Sequence, residues 1–315
     1  MGVLVAYVLL GPLTMTHEER GRAEGALPMA SWNLAEIEAR NRAGLQHVAA
    51  TGAAPSYTRE TLPERLLPDL VPLEPSDLST VGSRAEGNLR LKFTTLIWNA
   101  GLGPLETRGA RNPETGELEV YQYVYRRVGE AASAGASPAA LQTGGAQTGG
   151  TFPELRAEQG RWVGTFNYEH RHGHLHFDGF AHYGLWRVGE GGELVELIAE
   201  NAKVGFCLMD IKHMASNLTH LESGLIEVPG GPVYAGCRED VQGISVGWGD
   251  EYLSLLLEQD LDLTDAPSGS YAVVVTTNPE RRIEELDYDN NAAVTYFRLE
   301  DERVVWSSVD DGGGG

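Results

Sequence analysis

From about residue 66 onward, apolar and polar positions alternate in short bursts. Asn88 to Trp98 (NLRLKFTTLIW) sets apolar residues two apart and fills its second half with β-formers, which predicts a strand with one buried face. Glu119 to Arg127 (EVYQYVYRR) repeats the pattern. Further strands are expected at Gly164–Tyr168, Leu175–Trp186, Glu193–Ile198, Val204–Met209, Ser270–Thr277 and Ala292–Leu299. Turn clusters separate them, among them Asn99-Ala-Gly-Leu-Gly-Pro, Gly191-Gly192, Pro229-Gly-Gly-Pro and Pro267-Ser-Gly. Prolines at 68, 72 and 75 hold the lead-in LPDLVPLEPSDLS extended. Many short strands punctuated by turns predict a mainly β fold, an antiparallel β-sandwich with long loops.

Two stretches depart from this texture. Ser31 to Val48 carries Trp32, Leu34, Ile37 and Leu45 near helical spacing, so residues 1–60 read as a small, partly helical N-terminal extension. Residues 129–152 (GEAASAGASPAALQTGGAQTGGTF) are small and Gly-rich, and cannot bury enough surface to offset the entropy of ordering them. They read as a mobile surface insert in one domain over 66–300, followed by a tail at 301–315.

Composition narrows the picture. With 315 residues, 42% of them hydrophobic, the chain can build one large domain or two small ones. Against 24 basic residues stand 45 acidic ones, a net charge of -21, which repels phosphate backbones and argues against nucleic acid. The same charge suits cationic partners such as amines and basic proteins, and equally suits plain solubility. No run reaches the roughly 20 apolar residues of a membrane-spanning helix. Val3 to Met15 is a candidate export segment, although Gly11-Pro12 breaks it and no basic residue precedes it. The only cysteines are Cys207 and Cys237, and counting alone leaves one disulfide or two buried thiols open.

Candidate chemistry lies in the histidines. Of nine, five (170, 172, 174, 176 and 182) fall within a window of thirteen residues. His172, His174 and His176 form H-x-H-x-H. On a strand, alternate side chains share a face about 6.6 Å apart, so a curved strand can converge three imidazoles on one ion, with Gly173 and Gly179 permitting the bend. Neutral imidazole suits copper, zinc, nickel and iron. The plain alternative is a histidine-rich surface run without metal. His170 shares the triplet's parity, as a fourth ligand or a solvent-facing residue. His182 reads as a ligand, a general base or a structural hydrogen-bonder.

Several blocks in order resemble the lysyl oxidase family. They are LPDL with the later L-R-L-K-F strand and its Asn99-x-Gly turn; His172-Gly-His-Leu-His with F-x-H-Y; and Asn201-Ala-Lys-Val-Gly-Phe-Cys-Leu. Two more follow: Cys237-x4-Gln242-Gly-Ile-Ser-Val-Gly-Trp-Gly-Asp-Glu-Tyr252, and Asn278-Pro with Asp287-Tyr-Asp-Asn-Asn. The resemblance covers about residues 66–299. It implies copper on His172, His174 and His176, a lysine tyrosylquinone made from Lys203 and Tyr252, and a disulfide between Cys207 and Cys237. His182 matches a histidine sometimes assigned as base, one residue nearer the triplet than in the animal enzymes.

The implied activity is oxidative deamination of a primary amine, peptidyl lysine or a small amine, with O2, releasing aldehyde, ammonia and H2O2 in a secreted or extracytoplasmic setting. An ordinary tyrosine cannot accept two electrons, which is why the chemistry needs a quinone. The two-cysteine content and the Gly-rich insert depart from the animal forms and weaken the case for collagen-like substrates. Gly247-Trp-Gly-Asp reads as a flexible stretch that brings Tyr252 to the metal, with Asp250 a turn residue or a group orienting an imidazole. Two other readings stay open: a zinc or iron enzyme that never builds the quinone, and a secreted β-sandwich binding module with a structural metal.

Overall fold

The computed structural model describes residues 57–127, 155–170, 173–257 and 259–309. The helix expected at 31–48, the candidate export segment at 3–15, the insert at 129–152 and His172 lie outside the described residues.

The fold is mainly β. Its first strands are β1 (Arg65–Leu66), β2 (Leu70–Pro72), β3 (Ser76–Val81), β4 (Arg90–Asn99), β5 (Leu105–Arg111) and β6 (Leu118–Arg127). Long strands β7 (Leu155–Glu169), β8 (His174–Val188) and β9 (Leu194–Phe206) follow, then the short β10 (Lys212–His213), β11 (Gln242–Ile244), β12 (Trp248–Tyr252) and β13 (Asp260–Asp262). The chain closes with β14 (Gly269–Thr277), β15 (Ala292–Glu300) and β16 (Arg303–Ser307). Among the described residues the one helical piece is a 3-10 turn at Ala215–Asn217.

One sheet runs β11-β5-β6-β7-β8-β14-β15-β16, with β1 on β6 and β9 on β8; the other runs β10-β12-β4-β13, with β2 and β3 also on β4. All strand pairings are antiparallel. Leu91, Phe93 and Ile97 of β4 share one core with Phe177, Tyr183, Val273 and Phe297 of the larger sheet, so the sheets pack face to face. The rings of Phe93 and Tyr183 meet edge-on at 5.1 Å across that interface. Burying each such side chain contributes about 1.5–3 kcal/mol.

Four details differ from the sequence reading. Leu194–Ile198 and Val204–Phe206 of the two expected strands belong to one strand, β9, because the backbone pairs with β8 straight through the polar Glu200-Asn201, while Cys207–Met209 lie beyond its end. β5 was absent from the expectations: its LETRGAR pattern has little apolar content, and it is held by register with β6 and β11. Within the expected tail, β16 extends the large sheet. Finally, Gly247–Asp250 is no flexible stretch, since β12 starts at Trp248 and pairs with β4 through Tyr252.

Strand β8 positions the site. It starts after Gly173 (φ 75°) and bulges at Gly179 (φ 72°), where its register with β9 shifts between Phe177↔Phe206 and Ala181↔Val204.

Candidate metal and cofactor site

At the start of β8, His174 pairs with Glu169 and His176 with Asn167 of β7. Two residues apart on one strand, they share a face. Their Nε2 atoms lie 3.0 Å apart and their ring centroids 4.9 Å. Two nitrogens each about 2.0 Å from one ion, at a right angle, would sit ~2.8 Å apart, so the pair fits a shared metal of the kind imidazole prefers. The same distance suits an N–H···N bond between neutral rings. Gly205 of β9 makes room for His176: a Cβ there would meet the His176 Cβ at 2.9 Å and Nδ1 at 3.2 Å. The block Lys203-Val-Gly-Phe-Cys thus lies directly beneath the histidine pair.

Cys207 and Cys237 form a disulfide. Their sulfurs and a ring nitrogen of His174 lie within 4.8 Å of one another. Because the sulfurs are bonded together they are not free thiolates, and the grouping is a disulfide standing beside an imidazole rather than a set of three ligands.

Tyr252 ends β12, opposite Thr95 of β4. Its hydroxyl oxygen accepts the Cys207 N–H at 2.7 Å, and its ring lies on Phe206 with centroids 4.1 Å apart. Tyr252, 49 positions from Lys203 in the sequence, therefore docks on the strand that carries Lys203, four residues further along. Backbone pairing brackets Lys203 between Asn201↔Tyr183 and Val204↔Ala181; its side chain is outside the described residues. Burial pushes the Tyr252 phenol well above its usual range, with Asp250 adding to the rise and the Cys207 amide opposing it.

The phenol and the imidazoles approach β8–β9 from opposite faces. Phe177 is in the core, so the pleat turns its neighbour His176 outward, whereas Tyr252 packs on Phe206 inside.

Asp250 is neither a turn residue nor a partner of an imidazole among the described residues. It lies in β12 opposite Ile97, fully buried, and neither carboxyl oxygen has a hydrogen-bond partner of normal geometry. Burial raises its pKa well above the carboxylate range; the Met209 amide opposes this and Asp210 reinforces it. Of the two glycines that suggested a turn, Gly247 (φ 72°) does form one just before β12, whereas Gly249 serves close packing: a Cβ there would meet Leu96 Cδ2 at 2.9 Å and Trp98 Cβ at 3.0 Å. As strand positions two apart, Asp250 and Tyr252 share a face.

Sequence reasoning missed two organising residues. Asp210 accepts from Ser245 N–H (2.7 Å), Ser245 Oγ–H (2.8 Å), Val233 N–H (2.8 Å) and Tyr234 N–H (3.2 Å). Gln242 accepts the Leu208 N–H at 3.1 Å and donates Nε2–H to the carbonyls of Leu175 and Arg238, both at 3.3 Å. It thus clamps the histidine strand to both sides of the disulfide. Its place after Cys237 in the quoted block was the available signal.

His182 lies beyond the Gly179 bulge, opposite Thr276 of β14, with Nε2 3.1 Å from Glu200 Oε2. Burial lowers its pKa, and Glu200 partly offsets that. His170 is exposed, its ring edge-on to Tyr168 at 5.2 Å.

A strand-borne imidazole pair on a β-sandwich, beside a disulfide, suits the class of metal-binding β-proteins. The model of the lysyl oxidase family matches residues 151–309, just over half of the 315. This chain belongs to the lysyl oxidase family. It is 30% identical over 160 residues to lysyl oxidase homolog 2 of Gallus gallus, covering 50% of this chain and 18% of that protein. With human lysyl oxidase homolog 2 it shares 29% over 160 residues (51% of this chain, 18% of that protein), and with human lysyl oxidase homolog 1 32% over 128 residues (40% and 19%). The matched part thus spans under a fifth of these relatives' lengths.

Proposed function

We propose that this chain is a copper-dependent amine oxidase of lysyl oxidase type, acting with O2 on primary amines, free or in lysine-containing proteins, in an extracytoplasmic setting. The observation that carries the reading is the contact of the Tyr252 hydroxyl with the Cys207 amide. It joins the two sequence blocks that would supply the cofactor, beside the histidine pair. The disulfide supports an oxidising compartment, and among the described residues no helix is long and apolar enough to cross a membrane.

In this reading His172, His174 and His176 would hold copper, and Lys203 and Tyr252 would form lysine tyrosylquinone. Bound copper with O2 supplies the oxidation that makes the Tyr252 ring an electron sink. Everything else falls to the chain's own groups. Gln242 and the disulfide fix the histidine strand against the Lys203 block. Tyr252 must release the Cys207 amide for its ring to reach the outer face. Asp250, two residues before Tyr252 on the same strand face, is the candidate acceptor for its phenol proton; burial raises the proton affinity of both groups. His182, kept neutral by burial and oriented by Glu200, is the candidate base for the substrate proton.

A specific observation favours a second reading. The imidazoles and Tyr252 lie on opposite faces of β8–β9, as suits a zinc or iron enzyme that never modifies Tyr252. The test is expression with copper, a phenylhydrazine or nitroblue-tetrazolium quinone stain, and peroxide release from amines. The first reading expects a stained chain, with stain and activity lost in Tyr252→Phe and Lys203→Arg while copper stays bound. Metal-dependent turnover without stain selects the second.

A further inference from the structure

The face of β8 that carries His174 and His176 carries one more polar side chain before the Gly179 bulge, that of Asp178. Phe177 is in the core, so the pleat turns His176 and Asp178 outward together. Asn167 of β7, paired with His176, is turned outward in the same way because Phe166 before it is in the core. Its Nδ2–H group donates to Asp178 Oδ2, and also to Thr165 Oγ1 at 3.2 Å. One oxygen of the carboxylate is thus held by the neighbouring strand.

The other oxygen lies beside the histidine. A Cβ on Gly205 of β9 would stand 3.1 Å from Asp178 Oδ1, 3.2 Å from His176 Nδ1 and 2.9 Å from His176 Cβ. The carboxylate oxygen and the ring nitrogen therefore border one gap, which the missing side chain of Gly205 keeps open. The other nitrogen of the same ring, Nε2, is the one turned to His174, at 3.0 Å. His176 thus has its nitrogens in two settings, Nδ1 near a carboxylate and Nε2 beside the second imidazole. An imidazole that binds an ion through one nitrogen keeps its proton on the other. A carboxylate accepting that proton fixes ring and tautomer and makes the ligating nitrogen more basic.

We propose that Asp178, held by Asn167, is a positioning residue of the metal site: its Oδ1 accepts the Nδ1–H of His176 and leaves Nε2 as the ligating nitrogen. This rests on the metal reading of the histidine pair, which the copper reading and the zinc or iron reading share. In the metal-free protein the same arrangement sets the direction of the contact between the rings, with His174 Nε2–H donating to His176 Nε2. The working motif is then H-x-H-x-H-x-D, and its last member acts through the imidazole before it.

The test has two arms. The first needs no metal. Long-range proton–nitrogen NMR of histidine-labelled protein, at about pH 8 where an ordinary imidazole is neutral, reads which nitrogen carries the proton. His176→Gln assigns the signals. Wild-type protein should hold the His176 proton on Nδ1, and Asp178→Ala should shift it toward Nε2. Asp178 is only half-buried, so the melting temperature of that variant should stay within about 2 °C of wild type. The second arm measures copper affinity by competition with a chelator and records the Cu(II) EPR spectrum. Asp178→Ala should bind copper about 10–100-fold more weakly, with an altered spectrum. Asn167→Ala, which releases the carboxylate, should weaken binding in the same direction. A wild-type His176 proton on Nε2, a tautomer unchanged in Asp178→Ala, or copper affinity in that variant within about twofold of wild type would overturn the proposal. Copper affinity unmoved by His174→Ala with His176→Ala sinks the metal reading instead, and the NMR arm still decides whether Asp178 sets the tautomer.

Discussion

Asp210 and Asp250 are both buried, yet their surroundings are opposite. Asp210 gathers donors from Ser245, Val233 and Tyr234 and fixes the segment that leads from the disulfide into β12. Asp250, inside β12, has no hydrogen-bond partner of normal geometry among the described residues and faces the same way as Tyr252. A satisfied buried carboxylate is a frame element, whereas an unsatisfied one costs about 1–3 kcal/mol or more and persists where chemistry uses it. The difference separates the part of the site that holds its shape from the part that reacts.

The largest effect should come from the frame. Asp210→Ala leaves the Ser245, Val233 and Tyr234 amides without an acceptor, for a loss of about 3–5 kcal/mol. The melting temperature should fall by roughly 6–15 °C. A fall under about 2 °C would mean that Asp210 frames nothing. Replacing both cysteines (Cys207→Ser with Cys237→Ser) should cost on the order of 3 kcal/mol, since the bridge closes a loop with a separation of 30 residues. Urea titration reads this directly, and intact mass before and after reduction checks the bond.

Asp250→Asn should invert that pattern. Stability should change by only about 1 kcal/mol, because no hydrogen bond of normal geometry is lost. Quinone stain per bound copper should drop at least about tenfold, the usual size of a removed acid–base group's effect or more. Wild-type staining in this variant would make Asp250 a structural residue and erase the contrast with Asp210.

The frame was far more legible in the sequence than the reactive part. Strand β8 and the strands around it could be read because apolar alternation and turn glycines carry directly into pleat and bulge, as at Phe177, Gly179 and Ala181. β5 and β12 could not. Arg108, Gly109 and Gly249 hold their strands through register with neighbours distant in sequence, a tertiary effect that local pattern does not encode. The same cause hid the burial of Asp250: after Gly247-Trp-Gly it reads as a turn, and only the close packing of β12 on β4 buries it. The candidate residues themselves stood out through the histidine spacing and the resemblance. That the Tyr252 hydroxyl rests on Cys207, and that the imidazoles lie on the other face, followed only from the packed sheets.

The smallest effect concerns His182. Its folded pKa lies below the ordinary 6.5 because burial disfavours the charged ring. The neutral ring's contribution to stability is therefore present above pH 6.5 and is lost as pH falls through the folded value. Melting temperatures between about pH 5 and 8 should show this acid slope, and His182→Gln should flatten it. An identical slope in the variant would place the titration elsewhere.

The most direct test of the account is peptide mapping after exposure of the purified protein to copper and O2. The account predicts a cross-linked species joining the Lys203 and Tyr252 peptides, in proportion to bound copper and absent from Tyr252→Phe. Full amine-oxidising activity from protein whose Tyr252 peptide is recovered unmodified would contradict it.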